Sequence, residues 1–287
     1  MGEHKGRAKE ERTLAAQRLA RLARQQPVLS FFLLAYLLSW LLWWPMAATG
    51  ESRPLLALGS FGPTVAALLL TGLVEGRAGL RRLLRPLFIW RVHWGWYLFS
   101  FLGTAAVTLA ALGIHLALGG SGLTWNDPRQ LYLVIPVFLY VLLFSVLGEE
   151  IGWRGYALPR LQDTRSPLAA SVILGVVWSL WHLPLFWIPG NFHQTIPLPL
   201  FLLQSVGLTV LYTWMYNNTQ GSLLLAHLLH AASNTTLGVL PVLPMDAGGS
   251  LRPLWLSVAI LWVVVSVIIA YNGPQRLARA KTAPPSA

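Results

Sequence analysis

Eight apolar runs, each near the roughly 20 residues an α-helix needs to cross a bilayer, constrain this chain more than any other feature. They fall at about 28–49, 54–74, 96–118, 131–150, 168–190, 198–216, 221–243 and 253–271 of its 287 residues. Only 11% of the residues are charged, against roughly 25% in an ordinary soluble domain. Backbone inside hydrocarbon must satisfy its own N–H and C=O groups, so runs of this length fold as helices. The expected fold class is therefore all-α, a polytopic integral membrane helical bundle with about eight transmembrane helices. The expected organisation is a basic cytoplasmic tail or interfacial helix over 1–27, one membrane domain over 28–271, and a disordered cytoplasmic tail over 272–287.

The connections between the runs carry the charge, and they carry it unevenly. When the 21 Lys and Arg residues are assigned to alternate sides, 18 fall on one side and only Arg53, Arg129 and Arg252 on the other. Basic loops stay in the cytoplasm, so both termini are expected there, in a multi-pass cell-membrane protein. The formal charge of +11 then reads as an orientation signal and a contact for anionic lipid, with no nucleic-acid partner. The segment over 79–94 places Arg81, Arg82 and Arg85 among leucines and is suited to lie in the cytoplasmic interface, with Pro86 ending or bending it. Several tryptophans, among them Trp43, Trp44, Trp90, Trp94, Trp96 and Trp187, stand where an apolar run ends, as in a headgroup-level belt. The first run is long enough to span and is expected to be retained as an anchor. The chain has no cysteine, which excludes disulfides, thiolate metal sites and thiol catalysis.

Ionisable groups inside a membrane span cost several kcal/mol each and point to function by default. In this chain they are few: Glu149 and Glu150 in the fourth run, His115 in the third, His182 in the fifth, and His227, His230 and Asn234 in the seventh. Arg154 follows Glu150 by four residues, one helical turn on the same face, and can neutralise it. Glu149 is rotated from Glu150 by about 100° and is left to point elsewhere. Trp178 precedes His182 by one turn, and Asn234 follows His230 by one turn. Glu149 sits at the nominal end of its run, and convergence with the two histidines is easier if that helix continues to about Gln162. A carboxylate, two imidazoles and an amide suit the activation of a water and the stabilisation of an oxyanion. The same set, Glu149, His182 and His230, would serve as ligands to a divalent ion such as zinc. His115 and His227 read as structural polar groups, and His93 and His193 as loop or interface residues.

At these segments the chain resembles the CPBP family of intramembrane endopeptidases, which includes CaaX prenyl endopeptidases and bacteriocin-processing or immunity homologues. The matching motifs are Glu149-Glu150-Ile-Gly-Trp-Arg154, Trp178-Ser-Leu-Trp-His182 and His230-Ala-Ala-Ser-Asn234, in that order on separate runs. Phe61-Gly-Pro-Thr and the basic Arg81-Arg82 segment look like the family's N-terminal half. The resemblance implies a peptidase domain over 28–271 in which Glu149 and His182 activate the hydrolytic water. Glu150 and Arg154 would support that carboxylate, with Trp178 in the place where Phe is commoner. His230 and Asn234 would bind the oxyanion or orient the water. The implied partners are the bilayer and a membrane-associated protein or peptide substrate, admitted to a cavity open to the cytoplasm or the lipid. The family has been described both as metal-dependent and as metal-free. Two other readings are carried: a non-catalytic protein of the same fold giving bacteriocin immunity or scaffolding, and a small proton-coupled transporter.

Overall fold

Each apolar run starts where its first turn is prepared. Proline stands in the opening turn of the helices beginning at Pro27, Arg53, Pro167, Leu198 and Arg252, where its missing N–H costs nothing. Ser166 also caps the Pro167 helix, and Ser222 caps the helix beginning at Leu223, by accepting the backbone N–H of Ala169 and Leu225. The computed structural model describes residues 21–124, 132 and 134–278. Most of the 1–27 tail, the start of the fourth run and the end of the 272–287 tail lie outside the described residues. Among the described residues, eight helical segments are long and apolar enough to cross a membrane: α1 (Pro27–Thr49), α2 (Arg53–Phe88), α3 (Trp94–Ala117), α4 (Val134–Gln162), α5 (Pro167–Trp187), α6 (Leu198–Asn218), α7 (Leu223–Asp246) and α8 (Arg252–Asn272). No strand occurs among them, and the chain is an all-α, multi-pass membrane protein.

Two segments run further than hydropathy suggested. α2 absorbs the amphipathic stretch, with Arg81, Arg82 and Arg85 exposed and Leu83 buried, before Pro86 tightens the chain into a 3-10 turn over Arg85–Phe88. α4 continues to Gln162, which draws Glu149, Glu150 and Arg154 into the bundle. It is not a regular α-helix. Leu142–Val146 and Ile151–Ala157 take π geometry on either side of Leu147–Glu150. Such widened turns shift the register of side chains and are frequent at functional sites.

Side-chain bonds tie the connections into two opposite faces. On one, Glu75 pairs with Arg82 and Arg160, each at 2.7 Å. Asn217 donates to Gln162, and Ser222 donates to the Ile89 carbonyl. On the other, Asn191 donates to Glu51, Thr124 bonds the Asp246 carbonyl, and Arg252 donates to His115 at 2.9 Å. The first face holds the basic connections. The Arg252 bond also gives buried His115 the structural role expected of it.

The start of α2 sets the position of α4. A Cβ at Gly148 would lie 2.5 Å from the Ser60 carbonyl oxygen, and one at Gly152 would lie 2.6 Å from the Pro63 carbonyl. Thr64 donates across the same contact to the Leu147 carbonyl at 3.0 Å. The Phe61-Gly-Pro-Thr segment is thus the surface on which the Glu149-Glu150 turn rests, and small residues let the backbones approach. Gly152→Ala should force these helices apart at a cost of about 1–3 kcal/mol, read as a lower thermal midpoint of the purified protein in detergent. An unchanged midpoint would contradict this packing.

The tryptophans divide. Trp90, Trp94 and Trp187 are exposed, consistent with a belt. Trp43 is not a belt residue. It is buried, with its ring 4.5 Å from that of Trp181, because it packs between α5 and the start of α2, where the Leu56 carbonyl accepts its indole N–H. Trp96 is half-buried and packs on Trp214 at 4.8 Å.

Candidate active site

The polar residues of α4, α5 and α7 meet at one side chain, Trp178. Its indole Nε1–H donates to Glu149 Oε2 at 2.9 Å. Its backbone carbonyl accepts the Nδ1–H of His182 at 2.8 Å, one turn further along α5. Its ring also stands edge-on to His182 at 5.5 Å and to His230 at 5.3 Å. One residue therefore orients the carboxylate and fixes the tautomer of the first imidazole, leaving His182 Nε2 with the lone pair. The aromatic position of the second motif is thus more than a ring. A phenylalanine there would supply no N–H.

Glu149 is held rather than free, since Ser145 Oγ also approaches its Oε1 at 3.4 Å. Glu150 is fully buried. Arg154 Nη1 reaches its Oε1 at 2.6 Å, and His230 donates Nδ1–H to the same oxygen at 2.8 Å. The Glu150–Arg154 pair expected from their spacing is present, but it serves His230 on α7 rather than the Glu149 carboxylate. Arg154 is fully buried as well, with its guanidinium 4.7 Å from the Trp178 ring and 4.4 Å from the Tyr212 ring. The rings shield a cation that would be costly to bury alone. His227 gives its Nδ1–H to the Leu223 carbonyl at 2.6 Å and stays outside the group.

These residues line a cavity of about 500 Å³. Glu149, Trp178, His182, His230 and Asn234 all contribute to its wall. Most of the remaining wall is apolar and aromatic, including Tyr140, Phe144, Phe192 and Phe201. That combination suits a binding site: few convergent polar groups in an apolar recess. A buried carboxylate beside an imidazole lone pair can take a proton from a bound water. The Asn234 amide, one turn from the second imidazole, can face a developing negative charge.

Three residues near this group carried no signal in the sequence. Asn191 and His193 belong to the connection between α5 and α6, and both are buried in the cavity wall. His193 Nδ1 lies 2.7 Å from Asn191 Oδ1, and its ring stacks on His182 at 5.6 Å. Burial, and secondarily the neighbouring His182, hold the His193 imidazole well below its usual pKa, so it stays neutral. Ser145 lies one turn before Glu149. A polar pair in the short Gly-Asn-Phe-His connection directly after the fifth run was the available clue, but only the fold-back of that connection makes it meaningful.

Zinc was an expectation for Glu149, His182 and His230. Among the described residues, no three His, Asp or Glu side chains are grouped so that they could hold a metal ion. Nδ1 of each imidazole is bonded to Trp178 or Glu150, and one oxygen of Glu149 to Trp178, which leaves Nε2 of each ring and the other Glu149 oxygen toward the cavity.

Residues 131–236, which contain every residue from Glu149 to Asn234, match the family described as Type II CAAX prenyl endopeptidase Rce1-like. The chain is also 30% identical over 186 residues to the CAAX prenyl protease 2 of Methanococcus maripaludis, covering 60% of this chain and 64% of that relative.

Proposed function

On the premise of the Rce1-like match over residues 131–236, we propose that this chain is an intramembrane endopeptidase acting on a membrane-associated protein or peptide. The observation that carries the proposal is the bridge through Trp178, which presents the Glu149 carboxylate and the His182 lone pair to one cavity. A water bound between them loses a proton to Glu149 as its oxygen attacks the carbonyl carbon of the substrate. His182 Nε2 accepts the water's second hydrogen bond and orients it. The carbonyl oxygen becomes an oxyanion, which the Asn234 side-chain amide N–H on the cavity wall can stabilise. Glu150 accepts the Nδ1–H of His230 and so fixes the orientation of that ring beside the reacting carbonyl. Glu149 then returns the proton to the amide nitrogen as the C–N bond breaks, giving one new carboxylate and one new amine.

Trp178→Phe tests the bridge, because it keeps the ring and removes only the N–H. A hydrogen bond to a charged group contributes about 1.5–3 kcal/mol to stability, so the thermal midpoint should fall, and kcat, which needs Glu149 held toward the water, should fall on the order of 10-fold or more. Wild-type kcat in the folded variant would remove the bridge from the mechanism. The same assay with a chelator addresses metal dependence: under this reading, chelation leaves cleavage unchanged.

A further inference from the structure

The cavity opens on the face opposite the basic connections. Its rim is built from the α5–α6 connection, with Asn191 and Phe192, and from the end of α7, with Met245 and Asp246. Met245 is 60% exposed. The deeper wall comes from the halves of α1, α2, α4, α5, α6 and α7 nearest that same face, and no residue of the basic connections lines it. Toward the basic face the site is closed by a fully buried layer that includes Trp153, Arg154 and Leu158. Beyond that layer the Glu75–Arg160 pair ties α2 to α4.

Charge assigns the two faces to the two sides of the membrane. Arg154 is consumed inside the site. Among the described residues, ten other Arg side chains, from Arg21 to Arg276, belong to the closed face, and only Arg53 and Arg252 to the face with the opening. Of these two, Arg252 is bound to His115. Short connections rich in Lys and Arg remain cytoplasmic. The expectation from the sequence was a cavity open to the cytoplasm or the lipid. Spacing along each run held no information on which end of the bundle would be sealed.

We infer that the cavity is open to the extracytoplasmic side, and that its substrate is a peptide segment presented from that side, with apolar side chains flanking the scissile bond. The inference rests on the peptidase reading of this cavity and adds the side from which substrate arrives. The aromatic and aliphatic wall formed by Tyr140, Phe144, Phe201 and Leu237 favours apolar residues next to the cleaved bond. The rim, with Asn191 and Asp246, is where a more polar part of the substrate would meet water. A soluble cytoplasmic tail would meet the sealed face instead.

The natural absence of cysteine makes the test direct. Met245→Cys marks the rim, and Thr164→Cys marks an exposed position on the basic face. Intact cells expressing each full-length variant are treated with a membrane-impermeant maleimide, before and after permeabilisation. Met245→Cys should be labelled in intact cells and Thr164→Cys only after permeabilisation. The reverse pattern, or labelling of both in intact cells, would overturn the inference and leave the peptidase reading standing. In parallel, a quenched fluorescent peptide library is added to right-side-out and inverted membrane vesicles. Cleavage confined to right-side-out vesicles is expected. Cleavage confined to inverted vesicles, or equal in both, overturns the inference. No cleavage in either, with the labelling as expected, overturns the peptidase reading and with it the substrate assignment.

Discussion

Replacing Glu149 by Gln is expected to reduce kcat for peptide cleavage by about 10²–10⁴, the usual contribution of a positioned general base. The amide is nearly isosteric with the carboxylate and keeps an oxygen that can accept the Trp178 indole N–H, now at 2.9 Å from Glu149 Oε2. The variant should therefore fold, keep its thermal midpoint within about 1 kcal/mol of wild type, and bind substrate with little change. What it loses is the ability to take a proton from water. Steady-state kinetics alongside a thermal scan separates these effects. A folded variant with wild-type kcat would remove Glu149 from the chemistry.

Replacing Glu150 by Ala is expected to act on stability first. Glu150 and Arg154 are both fully buried and lie 2.6 Å apart, and His230 gives its Nδ1–H to the same carboxylate oxygen. Removing the carboxylate leaves a cation without a counter-charge inside the bundle, which costs about 3–5 kcal/mol. That is a large part of the stability of a typical domain. The single variant should give poor yield and a sharply lowered midpoint in detergent. The double variant Glu150→Leu with Arg154→Met, which removes both charges, should recover much of the midpoint. It should not recover cleavage, because His230 would still lack its partner. A Glu150→Ala protein with a wild-type midpoint would contradict the pairing.

The parts of this molecule that were legible in the sequence are those written locally. Apolar length marks each span, and all eight helices stand where the hydropathy placed them, with α2 and α4 extended into polar residues that hydropathy undercounts. Polar groups within apolar runs singled out Glu149, His182, His230 and Asn234, which the fold brings to one cavity. Helical spacing correctly paired Glu150 with Arg154. Spacing could not say which partner from another helix completes that pair, because this depends on how α7 packs against α4. His230 fills that place instead of Glu149. The π turns of α4 were equally invisible, since no apolar periodicity or capping residue marks where they begin. The same reasoning accounts for Trp43. Its position at the end of a run fits a membrane belt, but packing between α5 and the start of α2 makes it part of the core. The double role of Trp178 needs two atoms of one residue, an indole N–H and a main-chain carbonyl, to face two different helical neighbours. No motif records that.

The measurement that tests the central claim most directly compares purified wild-type protein with Glu149→Gln and His182→Ala on one peptide library, after each variant is shown to be folded. A Glu149/His182-activated water predicts cleavage by the wild-type protein and loss of at least about 10²-fold in each variant. Equal cleavage by all three proteins would contradict it.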